Sequence, residues 1–108
     1  MTSAIRTAGT TRIVDITGEI DLSSSASLRR VLFESLQDAD RLAVNLAGTK
    51  YIDSSGIATL IEVLKEAQRL RKGFVLFALS TAARDVFKLT HVINVFHICE
   101  NETEALQP

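Results

Sequence analysis

An α/β fold built on a largely parallel sheet is predicted by three observations. Short runs with strand character alternate along the chain with stretches of helical period, the five glycines fall between segments, and the one proline is the terminal Pro108, outside every element. The element order reads ββαβαβαβα. Units of this kind close by right-handed crossovers, and an N-terminal hairpin adds an antiparallel strand at one edge of a mixed sheet.

The opening segment, Ala4 to Thr7, turns at Gly9-Thr10 into a strand over Thr11 to Thr17 carrying Ile13, Val14 and Ile16, for which a hairpin is the simplest account. After Gly18-Glu19-Ile20-Asp21 and a serine cluster, Leu28, Val31, Leu32 and Leu36 recur at helical spacing. Ser23, Ser24 or Ser25 is expected to cap that helix. Leu42, Val44 and Leu46 alternate with Ala43 and Asn45 as a strand does, and Ala47-Gly48-Thr49-Lys50 is expected to end the run.

From Ser54 onward Ile57, Leu60, Ile61, Leu64 and Ala67 form an apolar stripe, with Gly73 as the expected C-cap. Glu62, Lys65, Glu66, Arg69 and Arg71 read as the solvated face of that helix. Phe74 to Leu79 is apolar without alternation, which places it mid-sheet with both faces covered. Ser80 is expected to cap a helix using Ala82, Ala83, Val86, Phe87 and Leu89. A Val95 to Cys99 strand and a short helix opened by Asn101, with Glu104 three residues on, complete the order.

At 108 residues, 46% hydrophobic and 23% charged, the chain reads as one domain, residues 1–108, large enough for a core without disulfides or metals. A net charge of −1 offers no footprint for nucleic acid or anionic lipid. The single cysteine, Cys99, precludes an intramolecular disulfide and suits a reducing compartment, where it is expected to be buried and inert. No apolar run approaches the ~20 residues of a membrane span, so a cytoplasmic protein without membrane insertion is expected.

The segment that could carry chemistry is Tyr51-Ile52-Asp53-Ser54-Ser55-Gly56, placed at a strand-to-helix loop and at the positive end of a long helix. Aspartate and serine are also ordinary N-cap residues, and the residue types by themselves favour that reading. Gly18-Glu19-Ile20-Asp21 precedes the earlier helix in the equivalent topological position. Both loops therefore fall at the carboxyl ends of parallel strands, where Asp21 and Ser54 can share one surface.

Together with Gly73-Phe74-Val75-Leu76 and the Leu89 to Ile98 segment, these motifs resemble the STAS family of bacterial anti-sigma factor antagonist domains across residues 11–106. The resemblance implies a phosphorylation-controlled binding module. Its unphosphorylated form binds an anti-sigma factor that is itself a serine kinase and so frees a sigma factor; phosphorylation breaks the complex, and a metal-dependent PP2C-type phosphatase resets it. The position matching the family's phosphorylated serine is Ser54, in preference to Ser55. Asp21 matches the loop aspartate that helps the kinase engage, and Asp53 is expected to help orient the Ser54 hydroxyl. Asp21, Asp53, Ser55 and Gly56 form the expected partner-binding set, with Gly56 as structural support. Thr49 stands where the family usually has an apolar residue, and Ala58 where a second glycine often follows the motif.

The runner-up gives the same fold a regulatory role in a lipid-transport ABC system or a sensory signalling complex without a sigma factor. A third reading makes Ser54 the nucleophile of an enzyme, but Ile52 to Gly56 lacks the first glycine of a nucleophile elbow and no histidine is patterned to serve as base. No phosphate-binding loop or dinucleotide fingerprint is present, so neither enzymatic activity nor a cofactor is implied. His97 and Cys99 share a strand face but lack a third metal ligand at suitable spacing.

Overall fold

The computed structural model describes residues 1–108. Nine elements follow in chain order: β1 (Thr2–Ala8), β2 (Thr11–Ile20), α1 (Ser25–Gln37), β3 (Arg41–Ile52), α2 (Ser54–Arg69), β4 (Gly73–Phe77), α3 (Thr81–Leu89), β5 (Ile98–Cys99) and α4 (Glu102–Ala105). The sheet order is β1-β2-β3-β4-β5, with β1 antiparallel to β2 and every later pair parallel, as the sequence predicts.

Successive parallel strands laid side by side through right-handed crossovers put their connecting helices on one face. The main core reflects this. Val14, Ile16, Ile20, Leu42, Val44, Leu46, Ile52, Phe74 and Leu76 of the sheet pack there against Leu28, Leu32 and Leu36 of α1, Ile57, Leu60, Val63 and Ala67 of α2, and Ala83 and Phe87 of α3. The alternate strand residues Ile13, Ala43, Val75, Phe77 and Cys99 form a smaller cluster on the other face, covered by Ala105 of α4. An ionic clasp holds that side: Arg6 of β1 donates to Asp15 of β2 at 2.7 and 2.8 Å and to Glu102 of α4 at 2.6 and 3.2 Å.

The strands depart from the sequence reading at their ends. β2 continues through Gly18-Glu19-Ile20, and β3 runs through Ala47 to Lys50 instead of ending there. The reason is two register shifts in the β2–β3 ladder. Asp15 pairs with Asn45 but Thr17 with Gly48, and Gly18 pairs with Thr49 but Glu19 with Tyr51, so β3 carries an extra residue at each place. Bulges abolish the period of two, which makes a continuing strand look like a break. The Asn45 side chain accepts the Ala47 N–H at 3.0 Å across the first bulge. Gly48 is required there, because a Cβ at that position would lie 2.6 Å from Thr17 Cγ2.

The helix ends also differ. Ser24 occupies the N-cap position of α1 without capping it, its hydroxyl being turned back to Asp21 and Glu19. Gly73 begins β4, and the left-handed residue that ends α2 is Arg71, with φ of 58°. Arg71 N–H to Gln68 O at 3.1 Å and Lys72 N–H to Ala67 O at 2.8 Å complete a Schellman motif. Ser80 and Asn101 cap α3 and α4 as expected, through the N–H groups of Ala83 and Glu104. Leu89 is exposed instead of joining the α3 stripe, β4 stops before Ala78-Leu79, and β5 holds only Ile98-Cys99 of the predicted Val95 to Cys99 strand. Glu62 pairs with Arg29 of α1 at 2.8 Å, and Glu66 with Arg69, so Lys65 takes no part in either pair.

Candidate functional site

The bulges deliver β3 to its carboxyl end in register with β2: Ile20 faces Ile52, and the Asp53 N–H donates to Ile20 O at 3.1 Å. Asp21 and Asp53 therefore leave the sheet side by side. The expected six-residue loop shrinks to one residue, because Tyr51 and Ile52 finish β3 and Ser54 already opens α2.

Asp53 is extended, with φ of −112° and ψ of −173°, as an N-cap residue must be. Its Oδ1 accepts the Ser55 N–H at 3.0 Å, the Gly56 N–H at 3.4 Å and the Ser55 hydroxyl at 2.5 Å. The expectation that Asp53 orients the Ser54 hydroxyl is corrected by this geometry, since the carboxylate holds Ser55 instead. Ser54, the first residue of the helix, is exposed, and no hydrogen bond within the chain engages its hydroxyl. Of the two adjacent serines, one is tied down by its neighbour and the other stands free in solvent.

Gly56 is buried under this cap. A Cβ there would lie 2.6 Å from Ile20 Cγ2 and 2.8 Å from Ile52 Cγ1, so the missing side chain is what lets the start of α2 settle onto the ends of β2 and β3.

Asp21 builds a second turn next to the first. Its Oδ1 accepts the Ser23 N–H at 3.0 Å and the Ser23 hydroxyl at 2.6 Å, while its carbonyl accepts the N–H groups of Ser24 at 3.0 Å and Ser25 at 2.9 Å. The Ser23 hydroxyl is the main cause that holds the Asp21 carboxyl below the usual range, and the Ser55 hydroxyl does the same for Asp53. The charge on Asp21 works against the ionisation of Asp53, a smaller effect than these hydrogen bonds. Both are anionic at neutral pH, so Ser54 sits at an acidic edge that ends on the positive pole of a 16-residue helix.

Two apolar residues at this end are exposed: Tyr51, which opens the candidate segment and pairs with Glu19 one step before Ile52, and Leu22, which follows Asp21 directly and is absent from the site that the sequence suggests. Leu22 leaves a signal in the sequence, since it is an isolated apolar residue in a polar run and lies outside the helical period of α1. No pocket forms on the chain, so the site is a surface. The Nε2 of His97 lies 3.7 Å from Cys99 Sγ at β5; no group of three or more potential metal-ligating side chains occurs, and no helix is long and apolar enough to cross a membrane.

A Staphylococcus aureus protein named anti-sigma-B factor antagonist is 28% identical over 88 residues, which cover 81% of this chain and 82% of that protein. Among solved structures, an anti-sigma factor antagonist from Mycobacterium paratuberculosis superimposes with a TM-score of 0.88 at 22% identity, covering 97% of this chain and 90% of the other. The phosphorylated form of the Bacillus cell fate determinant SpoIIAA gives 0.74 at 18% identity over 97% of this chain and 96% of its own. The family model described as the STAS domain matches residues 2–105. With that match spanning nearly the whole sequence on the fold described above, the chain belongs to the STAS domain family.

Proposed function

We propose that this chain is a phosphorylation-controlled protein-binding module, an anti-sigma factor antagonist, with Ser54 as its phosphoacceptor. The observation that carries the reading is the unequal fate of two neighbouring hydroxyls: Ser55 is bound by Asp53 at 2.5 Å, while Ser54 is exposed and free to enter a kinase site. The names of the relatives, and the existence of a phosphorylated form of one structural neighbour, support the same reading.

The partner is an anti-sigma factor with serine kinase activity. It docks on the carboxyl-end surface through Asp21, Asp53, Ser55 and the backbone around Gly56, and a PP2C-type phosphatase reverses the modification. Residues 1–108 act as one unit in this scheme, as a substrate and binding partner and not as an enzyme.

A phosphoserine adds about −1.5 to −2 charges at neutral pH. Within the chain the N-terminus of α2 tolerates that charge, so the fold persists. Across a docked interface the same charge joins Asp21 and Asp53, and repulsion together with desolvation opposes binding. Isothermal titration of the kinase against the unmodified and the Ser54-phosphorylated chain tests this. Tight binding of the first and strong weakening in the second is expected; equal affinity for both forms overturns the switch.

A further inference from the structure

We propose that Leu22 is the apolar anchor by which the Ser54 surface holds its kinase partner, an inference that rests on the reading of Ser54 just given. Leu22 is 78% exposed, a large apolar side chain held in water immediately beside Asp21. Leu89 is equally exposed, but it ends α3, which starts near the carboxyl ends of the strands and runs back toward their amino ends, away from Ser54. Of these two leucines, only Leu22 borders the phosphoacceptor surface.

The turn that carries Leu22 is fastened on both sides. Asp21 Oδ1 accepts from Ser23, Asp21 O accepts the N–H groups of Ser24 and Ser25, the Asp21 N–H donates to Ser24 Oγ at 2.9 Å, and Ser25 Oγ donates to Leu22 O at 3.2 Å. A backbone so constrained loses little further freedom when the side chain it carries docks.

The surroundings define the chemistry of the occupant. Asp21 precedes Leu22 directly, exposed Glu19 lies near the end of β2, and Asp53 is hydrogen-bonded to that strand end through Ile20 O, so this end of the sheet carries three carboxylates and the complementary surface is an apolar socket flanked by lysine or arginine. An apolar core with a charged rim is the ordinary anatomy of a specific protein interface. In this arrangement Leu22 supplies affinity, the carboxylates supply orientation, and Ser54 supplies the switch.

The test uses purified anti-sigma factor kinases of the source organism, screened first against the wild-type chain. If none binds wild type, the reading of Ser54 as a partner switch fails, and this inference falls with it. With a binding kinase in hand, Leu22→Ala is expected to weaken Kd about tenfold or more, as loss of most of a leucine's burial requires. It should raise KM for phosphorylation of Ser54 with kcat unchanged, because the contact is made equally in ground and transition states. Leu22→Met should restore binding, and Leu89→Ala should leave it unaltered. Wild-type affinity in Leu22→Ala overturns the anchor while leaving the Ser54 reading intact; so does a loss of binding that Leu22→Met fails to restore.

Discussion

Replacing Gly56 with alanine sets two effects of known sign against each other. Alanine in place of glycine in a helix gains about 1 kcal/mol of intrinsic propensity. The added Cβ, however, falls 2.6 Å from Ile20 Cγ2 and 2.8 Å from Ile52 Cγ1, closer than carbon atoms approach. Neither contact is the loose end of a flexible chain. Both atoms are attached directly to the Cβ of a β-branched residue that is essentially fully buried, so neither can turn aside without leaving its rotamer. Overpacking of this kind costs about 1–3 kcal/mol, and two rigid contacts place Gly56→Ala toward the upper end. The net loss is then about 1–2 kcal/mol, which for a domain of this size lowers Tm by about 4–16 °C. Urea unfolding should show a lower midpoint with an unchanged slope, because the native surface is hardly altered. Since the start of α2 must move outward to make room, Ser54 moves with it, and phosphorylation by a bound kinase should slow as well. A Gly56→Ala chain as stable as wild type, or more so, would refute the argument that this glycine seats the helix.

Other perturbations follow from the same structure. Thr49 is 1% exposed and its hydroxyl has no hydrogen-bond partner, so Thr49→Val should raise stability by about 1 kcal/mol in urea melts, and a loss would show that the hydroxyl is satisfied. Arg71 holds a left-handed conformation that glycine adopts without strain, so Arg71→Gly should gain about 0.5–1 kcal/mol despite its looser unfolded chain. Asp21 and Asp53 are held below the usual range when folded, first by the hydroxyls of Ser23 and Ser55; the stability they confer is present above the unfolded aspartate value of about 3.9 and is lost as pH falls through their folded values. The double variant Asp21→Asn, Asp53→Asn keeps acceptor oxygens in both turns and should flatten that acid limb in pH-dependent melts, whereas an unchanged limb assigns it to other groups.

Features whose neighbours lie nearby in the chain were the more legible ones, although the serine cap of α1 and the Gly73 C-cap, both local, do not form. The stripe of α1 at Leu28, Leu32 and Leu36 and the caps at Ser80 and Asn101 depend on local spacing and form, while Val31, expected in the same stripe, is only partly buried. The α2 stripe differs from its expected positions: Ile61 and Leu64 are only partly buried, while Val63, which lies between them, is part of the core. Strand ends were hidden because their causes are non-local. Nothing in Ala47-Gly48-Thr49-Lys50 announces a strand, and only pairing with Thr17 and Gly18 across two bulges keeps that segment in the sheet.

The candidate site was legible as a motif and not as a geometry. The order Asp53-Ser54-Ser55-Gly56 and its companion Asp21 could be picked out, and topology brings them to one end of the sheet. Which serine the aspartate holds depends on Asp53 being extended and on the pitch of the first helical turn, and those put Oδ1 under Ser55. Leu22 stands out only as an isolated apolar residue in a polar run, and its exposure comes from the serine-locked turn that this pattern does not specify.

The central claim is that Ser54 alone receives the phosphoryl group while Ser55 stays bound to Asp53. The direct measurement is intact mass followed by peptide mapping of wild type, Ser54→Ala and Ser55→Ala, each incubated with ATP and the anti-sigma factor kinase that binds the wild-type chain. One phosphoryl group on wild type and on Ser55→Ala, mapped to Ser54, with none on Ser54→Ala, is the predicted result. Phosphate on Ser54→Ala, or on Ser55 of the wild type, contradicts it.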